Sequence, residues 1–150
     1  MPQSLARMPV HLIFSTKNRL RSIPDDLRDQ LHRYAAGIIN NHGCHSLLIN
    51  SVEDHIHVLF DLGRTVTLSK MVQEVKTATS AWIKTKGPQH RLFAWQSGYA
   101  GFAVSPGDIR SISDYISGQR EHHRRESFQE EYRRFLTEYG IDFDELYVWD

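Results

Sequence analysis

The chain has 150 residues, which is the length of one ordinary globular domain. A single cysteine, Cys44, excludes an internal disulfide and the thiolate sites that hold structural zinc or iron–sulfur clusters. Hydrophobic residues make up 40% of the chain and charged residues 24%, a composition that argues against long disordered stretches. No apolar run approaches the roughly 18 residues of a membrane span, and the N-terminus has no signal-peptide core. We therefore expect a cytoplasmic protein.

The net charge of zero conceals a division of charge along the chain. Residues 1–125 carry 16 Lys and Arg against 10 Asp and Glu, whereas residues 126–150 carry 2 against 8. Most of the basic residues are arginine, the better bidentate ligand for phosphate. This division permits a polyanionic partner such as nucleic acid, but a solvated basic face beside an acidic tail explains it equally well.

Hydrophobic periodicity and turn residues predict a strand, a helix, two strands, a helix and a strand, followed by two C-terminal helices. The predicted strands are residues 10–16, 44–52, 55–62 and about 95–104, and the predicted helices begin near residues 24, 67, 105 and 127. The order predicts an α+β fold of the ferredoxin-like, or split βαβ, type. Its antiparallel sheet should carry helices on one face, with additional helices at the C-terminus.

His55 and His57 are the first candidates for chemistry. They lie in the predicted third strand, where alternate side chains share a face, so both imidazoles project to one side while Ile56 and Val58 face the core. That placement suits two ligands of one metal ion. Nine histidines in 150 residues also make a His-x-His pattern common by chance, so a solvated histidine pair is the alternative interpretation.

Tyr115 and Gln119 are four residues apart on the predicted third helix, which Ser105 and Pro106 open. Side chains at this spacing are neighbours on one helix face. Isoleucines define the buried stripe of the helix, so the two polar side chains lie beside it. Packing of the tyrosine at the edge of the core is the alternative to a chemical role. Gly118 between them requires a reason, such as a flexible joint or a close backbone approach.

Five segments follow one another along the chain as HLIFSTKNR, EDHIHVLFDL, VKTATSAW, FAWQSGYAGFAVS and SDYISGQREHH. In this order they resemble the single-tyrosine HUH transposases of the insertion-sequence 200/605 type, the IS200-like transposase family. The resemblance runs from Val10 to YGIDFDELYVW near the C-terminus. A His-x-His pair after an acid, followed about 60 residues later by Tyr-x-x-x-Gln, is far more specific than either part alone.

The resemblance implies one HUH transposase domain over residues 1–150, with the acidic helix and tail at 126–150 packed on it. It implies that His55, His57 and Gln119 hold one Mg²⁺ or Mn²⁺ ion. Tyr115 would attack the scissile phosphate of single-stranded DNA with hairpin ends, giving a 5′-phosphotyrosine intermediate. It also implies a homodimer in which one subunit's histidines and the other's tyrosine helix form each active site, with no membrane partner.

The same resemblance makes Lys76 a possible contact to hairpin phosphates, and the histidines and arginines at 122–125 are further possible DNA contacts. Two other functions stay open from the sequence. A β-α-β-β-α-β sheet also binds single strands without cutting them, so the chain is alternatively a non-catalytic nucleic-acid-binding module of the same fold. The other is a domesticated relative that processes repeated chromosomal hairpins.

Overall fold

The computed structural model describes residues 2–122 and 125–150 and is built around a four-stranded antiparallel sheet. The strands are β1 (Pro9–Ser15), β2 (His45–Ser51), β3 (His55–Asp61) and β4 (Ala100–Ala103). The α-helices are α1 (Arg28–Asn41), α2 (Leu68–Lys84), α3 (Ile109–Ser117), α4 (Gln119–His122) and α5 (Phe128–Glu138). Of the possible DNA contacts at 122–125, residues 123 and 124 lie outside the described part of the chain.

The strand order across the sheet is β2-β3-β1-β4, and every neighbouring pair is antiparallel. β1 pairs with β3 along its whole length, from Pro9 opposite Asp61 to Ser15 opposite His55. α1 joins β1 to β2, and α2 joins β3 to β4. This is the ferredoxin-like arrangement with additional C-terminal helices, so the predicted fold class is confirmed.

One face of the sheet holds the largest hydrophobic core. Alternate residues of β1 (Val10, Leu12 and Phe14) and of β3 point to this face, where α1 and α2 cover them. α1 and α2 also pack against each other. The helical residues in this core are Leu31, Ala35, Ile39, Met71, Val72, Val75 and Ile83. The predicted inward positions of β3, Ile56 and Val58, are both buried there.

The C-terminal helices cover the opposite face of the sheet. Phe135 and its neighbours on α5 pack on Ile13 of β1 and Phe102 of β4, and Ile116 of α3 packs on Leu59 of β3. The end of the chain also lies against this layer, because the Trp149 ring contacts Phe128 and Tyr132 of α5. The second set of β1 and β3 side chains, which includes both histidines of the His-x-His pair, is therefore enclosed between the sheet and α5.

The third helix differs from its prediction. One continuous helix was expected to carry both Tyr115 and Gln119, but α3 ends at Ser117 and Gln119 begins the separate four-residue helix α4. Gly118 lies at the break, where its amide bonds to the carbonyls of Asp114 and Tyr115. The prediction of one helix is therefore wrong, because glycine disfavours helix continuation. No helix in the described part of the chain is long and apolar enough to cross a membrane.

Candidate active site

His55 and His57 lie side by side on β3, and both side chains are fully buried. Each ring has a polar partner at Nδ1: His55 Nδ1 lies 2.6 Å from Asp54 Oδ1, and His57 Nδ1 lies 2.8 Å from His11 Nε2. His11 projects from β1 on the same face of the sheet. These contacts fix both imidazoles with Nε2 directed away from β3. The pair is buried, not solvated.

The two Nε2 atoms meet at a carboxylate that sequence reasoning missed. Glu131 of α5 places Oε1 3.0 Å from His57 Nε2 and 3.5 Å from His55 Nε2, and its side chain is fully buried. It lies on the apolar face of α5, between Phe128 and Phe135. A single acid within such an apolar stripe was the available signal, because a buried carboxylate is rare without polar partners.

Tyr115 approaches the same carboxylate from α3. Its hydroxyl donates to Glu131 Oε2, and the guanidinium of Arg134 donates to the phenol oxygen over 2.8 Å. Arg134 is itself held by two hydrogen bonds to the carboxylate of Glu126, at 2.9 and 3.1 Å. Burial, followed by the charge of Glu131, raises the pKa of the Tyr115 phenol above its ordinary value of 10, although Arg134 acts in the opposite sense. The phenol is therefore held protonated.

Gln119, the fourth predicted site residue, is fully buried at the start of α4. Its side-chain amide donates to the backbone carbonyl of Tyr115 over 3.3 Å. One residue beyond Tyr115, the carbonyl of Ile116 accepts 2.7 Å from Asn50 Nδ2, which ties the end of α3 to β2. Asn50 pairs with His57 in the sheet, so this bond fixes α3 beside the histidine pair.

The donor set of this cluster fits a divalent cation. One ligand atom from each of His55, His57 and Glu131 lies within 4.8 Å of the others. Each Nε2 donates a hydrogen bond to Glu131 Oε1 when it carries a proton, and can ligate a cation beside that oxygen when it does not.

The surroundings act in opposite senses on the pKa values of His11 and His55. Burial, then the neighbouring His57, lowers the pKa of His11 to about 3, so His11 is neutral. Burial also opposes the charged form of His55, but its hydrogen bonds to Asp54 and Glu131 outweigh it and raise the pKa of His55. The carboxylates beside His55 thus favour its positively charged form in the metal-free protein, and a metal ion would take the place of the Nε2 proton.

Lys76, a possible phosphate contact by resemblance, is directed into the protein. Its ammonium group donates to the carbonyls of Gln96 (2.8 Å), Ser97 (3.2 Å) and Gly98 (2.6 Å) and lies 5.0 Å from the centroid of the Phe14 ring. Burial lowers the pKa of this amine to about 8. Because these carbonyls engage its donors, Lys76 fastens the loop at 96–98 to α2.

Residues 4–119 match the model of the family described as "Transposase IS200 like". The chain therefore belongs to the IS200-like transposase family, and the predicted family is confirmed. The matched residues include His55, His57, Tyr115 and Gln119, whereas Glu131 and the rest of α5 lie beyond them.

Two solved structures share the fold. A protein of Deinococcus radiodurans R1, proposed to be a transposase, is 23% identical with a TM-score of 0.59, and the match covers 79% of this chain and 98% of that one. A REP-associated tyrosine transposase bound to a REP hairpin is 19% identical with a TM-score of 0.58, over 82% of this chain and 73% of that one. No curated protein sequence matches the chain.

Proposed function

We propose that this protein is a metal-dependent transposase that cleaves and rejoins single-stranded DNA through a covalent bond to Tyr115. The observation that carries the proposal is the convergence on Glu131, whose two oxygens contact the imidazole of His57 and the hydroxyl of Tyr115. In a chain of the IS200-like transposase family, this convergence brings a nucleophile next to a cation site. All 150 residues would act as one HUH transposase domain, with α5 as part of the site.

The proposed metal is Mg²⁺ or Mn²⁺, held by His55 and His57. Two residues compete for the third position: Gln119, which the resemblance implies, and Glu131. We favour Glu131 because its carboxylate is buried against both Nε2 atoms and an anionic oxygen ligand suits a hard cation. When bound, the ion supplies positive charge that stabilises the scissile phosphate in the transition state.

The side chains of the cluster divide the remaining work. In the cleavage step, the Tyr115 oxygen forms a bond to phosphorus, the bond from phosphorus to the 3′-oxygen breaks, and the phenol proton is released. Glu131 Oε2 already accepts the hydrogen bond of the phenol and is placed to take that proton. Arg134 donates to the phenol oxygen and is placed to bind a non-bridging phosphate oxygen. The leaving 3′-oxygen takes up a proton from solvent and becomes a hydroxyl. When that hydroxyl later attacks the phosphotyrosine, the bond from phosphorus to Tyr115 breaks and the strand is resealed without ATP.

The proposed substrate is single-stranded DNA with hairpin ends. The REP-associated relative is described as bound to a REP hairpin, and the basic excess of residues 1–125 suits a polyanion. An insertion-element transposase and a domesticated relative that acts on repeated chromosomal hairpins would share this chemistry.

A covalent adduct tests the function directly. The substrate is a pool of single-stranded DNAs in which eight randomised nucleotides flank a random-sequence hairpin on each side, incubated with the protein and Mn²⁺. A label at the 3′ end of the DNA should stay with the protein through a denaturing gel, whereas a 5′ label should not, and peptide mapping should place the DNA on Tyr115. Tyr115→Phe should form no adduct, while Tyr139→Phe, which changes a partly exposed phenol bonded to Ala103, should behave as wild type.

Absence of any adduct, with DNA binding retained, would favour the non-catalytic binding module. An adduct on another tyrosine would refute the role of Tyr115. Loss of adduct in His55→Ala and His57→Ala, with hairpin binding retained, is expected because phosphate contacts elsewhere hold the DNA.

The homodimer with shared sites is a further proposal, which rests on the family resemblance. In the single chain Tyr115 already lies beside its own histidines, with ring centroids of Tyr115 and His57 6.1 Å apart. Mixing His57→Ala with Tyr115→Phe protein distinguishes the two arrangements. Recovery of cleavage supports sites formed between subunits, and an active monomer in sedimentation contradicts them.

A further inference from the structure

A pocket of about 410 Å³ lies apart from the cluster around Glu131, between the loop that follows β1 and the loop at residues 89–94. Its volume falls within the range of small-ligand sites. Ile23 and Phe93 line it and are almost fully buried, whereas Leu20 and Leu92 at its edge are 61% and 82% exposed. The pocket therefore offers apolar surface to a ligand from solvent.

The first of these loops has an unusual backbone. Asn18 and Arg19 have φ values of 58° and 56°, in the left-handed region that non-glycine residues seldom occupy. The turn is held by Thr16 Oγ1, which donates to the carbonyl of Leu20 over 2.6 Å, and by the Lys17 amide, which donates to the carbonyl of Ala94 over 2.8 Å. The surrounding bonds thus fix an unfavourable conformation, as is common at ligand sites.

Besides Ser22 and His90, the polar side chains that line the pocket are amides and cations. Asn18 and Gln89 supply amides, which both donate and accept and can read the edge of a base. Lys17 and Arg21 supply exposed cations, which suit the phosphates on either side of that base. An apolar interior with amides and cations at its rim matches an unpaired nucleotide, with its base inside and its backbone outside.

The pocket lies at the same end of the sheet as the candidate active site. The Ile23 amide donates 2.9 Å to the carbonyl of Glu53, and the Thr16 amide donates 2.8 Å to the carbonyl of Asp54, the residue that orients His55. Arg21 lines a second cavity as well, of about 340 Å³, together with Asp54 and with Phe128 at the start of α5. A strand seated in the first pocket can therefore continue past Arg21 toward the histidines.

We propose that this pocket, defined by Asn18, Arg21, Gln89 and Phe93, binds the base of one unpaired nucleotide that flanks the cleavage position. The inference rests on the proposed function, because it assigns part of the same single-stranded substrate to a second site on the protein. Asn18 and Gln89 would select the base, and Lys17 and Arg21 would bind the adjoining phosphates without regard to sequence.

The test is a selection from the randomised hairpin pool, sequenced after binding to each variant. The wild-type protein should enrich particular bases, including one at an unpaired position beside the hairpin. In the double variant Asn18→Gly with Gln89→Ala, the preference for one base over the others at that position should fall about tenfold. The preferences at the other positions should stay the same. Glycine is chosen at position 18 because it accepts the left-handed φ without strain. Gln30→Ala removes an exposed amide on α1 and Arg91→Ala an exposed cation near the pocket, and both should select as wild type does.

The outcomes separate the two hypotheses. Failure of the wild-type protein to form an adduct would overturn the proposed function, and failure to enrich any base beside the hairpin would overturn this inference. Wild-type cleavage with the same base preferences in the double variant would overturn the pocket alone. Arg21→Ala should weaken binding of all selected sequences alike. If Arg21→Ala loses no more DNA-binding affinity than Arg91→Ala does, Arg21 does not contact the DNA strand.

Discussion

Glu131→Gln keeps the volume of the side chain and removes the negative charge on which the proposed metal site depends. Without metal, the variant should fold, because the amide oxygen still faces the imidazole of His57. In the variant, the amide nitrogen takes the place of Glu131 Oε2 and cannot accept the hydrogen bond of the Tyr115 hydroxyl. Loss of a hydrogen bond to a charged group lowers the free energy of unfolding by about 1.5–3 kcal/mol. For a chain of this length, about 2–4 °C of Tm corresponds to each kcal/mol, so Tm should fall by about 3–12 °C.

Addition of metal should then separate the variant from the wild type more clearly. At a Mn²⁺ concentration about 100 times its Kd, binding stabilises the native protein by about 2.7 kcal/mol, or about 5–11 °C. Changes around metal ligands cost about 10–100-fold in affinity, and loss of the anionic ligand should reach the upper end of that range. The same Mn²⁺ concentration would then stabilise the variant by only about 0.4 kcal/mol, or about 1–2 °C. Thermal unfolding in Mn²⁺ and in EDTA, with calorimetric titration, measures both quantities.

Two control variants make this result specific. Glu130→Gln removes an exposed carboxylate next to Glu131 on α5 and should keep the full Mn²⁺ stabilisation. Gln119→Ala should also keep it if Glu131 is the third ligand. Full stabilisation of Glu131→Gln, together with its loss in Gln119→Ala, would refute the reasoning and restore the ligand set that the resemblance implies.

Three other substitutions test single contacts. His11→Phe keeps a buried ring but removes the hydrogen-bond partner of His57 Nδ1, so the Mn²⁺ affinity measured by calorimetry should fall about 10–100-fold. Unchanged affinity would leave His11 a packing role only. Burial lowers the pKa of His32, which is bonded to Ser51, to about 4. The unfolded chain therefore binds more protons between about pH 4 and 6.5, and the free energy of unfolding should decrease as the pH falls through that window. In His32→Gln the free energy of unfolding should change less steeply with pH, and an equally steep change would contradict this. Lys76→Met should lower the free energy of unfolding, measured by urea denaturation, by about 1–3 kcal/mol, because three backbone carbonyls lose their donor. An unchanged free energy of unfolding would refute the anchoring role of Lys76.

The parts of the site that lie on the sheet were predictable from the sequence because their cause is local. Strand periodicity of two residues places His55 and His57 on one face and Ile56 on the other, whatever else the fold contains. The fold class followed from the succession of elements, since a split βαβ unit has few alternative topologies. Periodicity did not show that the face with His55 and His57 is covered by a helix.

The contribution of α5 was not predictable, because it depends on a contact across 74 positions of the chain. The pattern of Phe128, Tyr132 and Phe135 predicts a buried helix face, and Glu131 lies within it. The helix pattern does not specify which surface that face covers. Only the packing of α5 on the sheet turns an unexplained buried acid into the partner of two histidines and a tyrosine.

The burial of the cluster bears on how the proposed DNA substrate would reach it. The side chains of His55, His57 and Glu131 are fully enclosed by the sheet and α5, whereas Tyr115 is only half-buried and Arg134 beside it is 37% exposed. A phosphate therefore has its shortest access past Tyr115.

Tyr115 is also on a short helix, since α3 has nine residues and breaks at Gly118, while α5 is held through its aromatic face and Trp149. α3 is tied to the sheet by the bond from Asn50 to the Ile116 carbonyl, which its movement would have to break. Movement of α3 would admit the strand and leave the histidines and Glu131 in place. The same movement is what exchange of α3 between two subunits would require. Because one chain already assembles the whole cluster, a dimer would change whose tyrosine enters the site without changing the groups that it meets there.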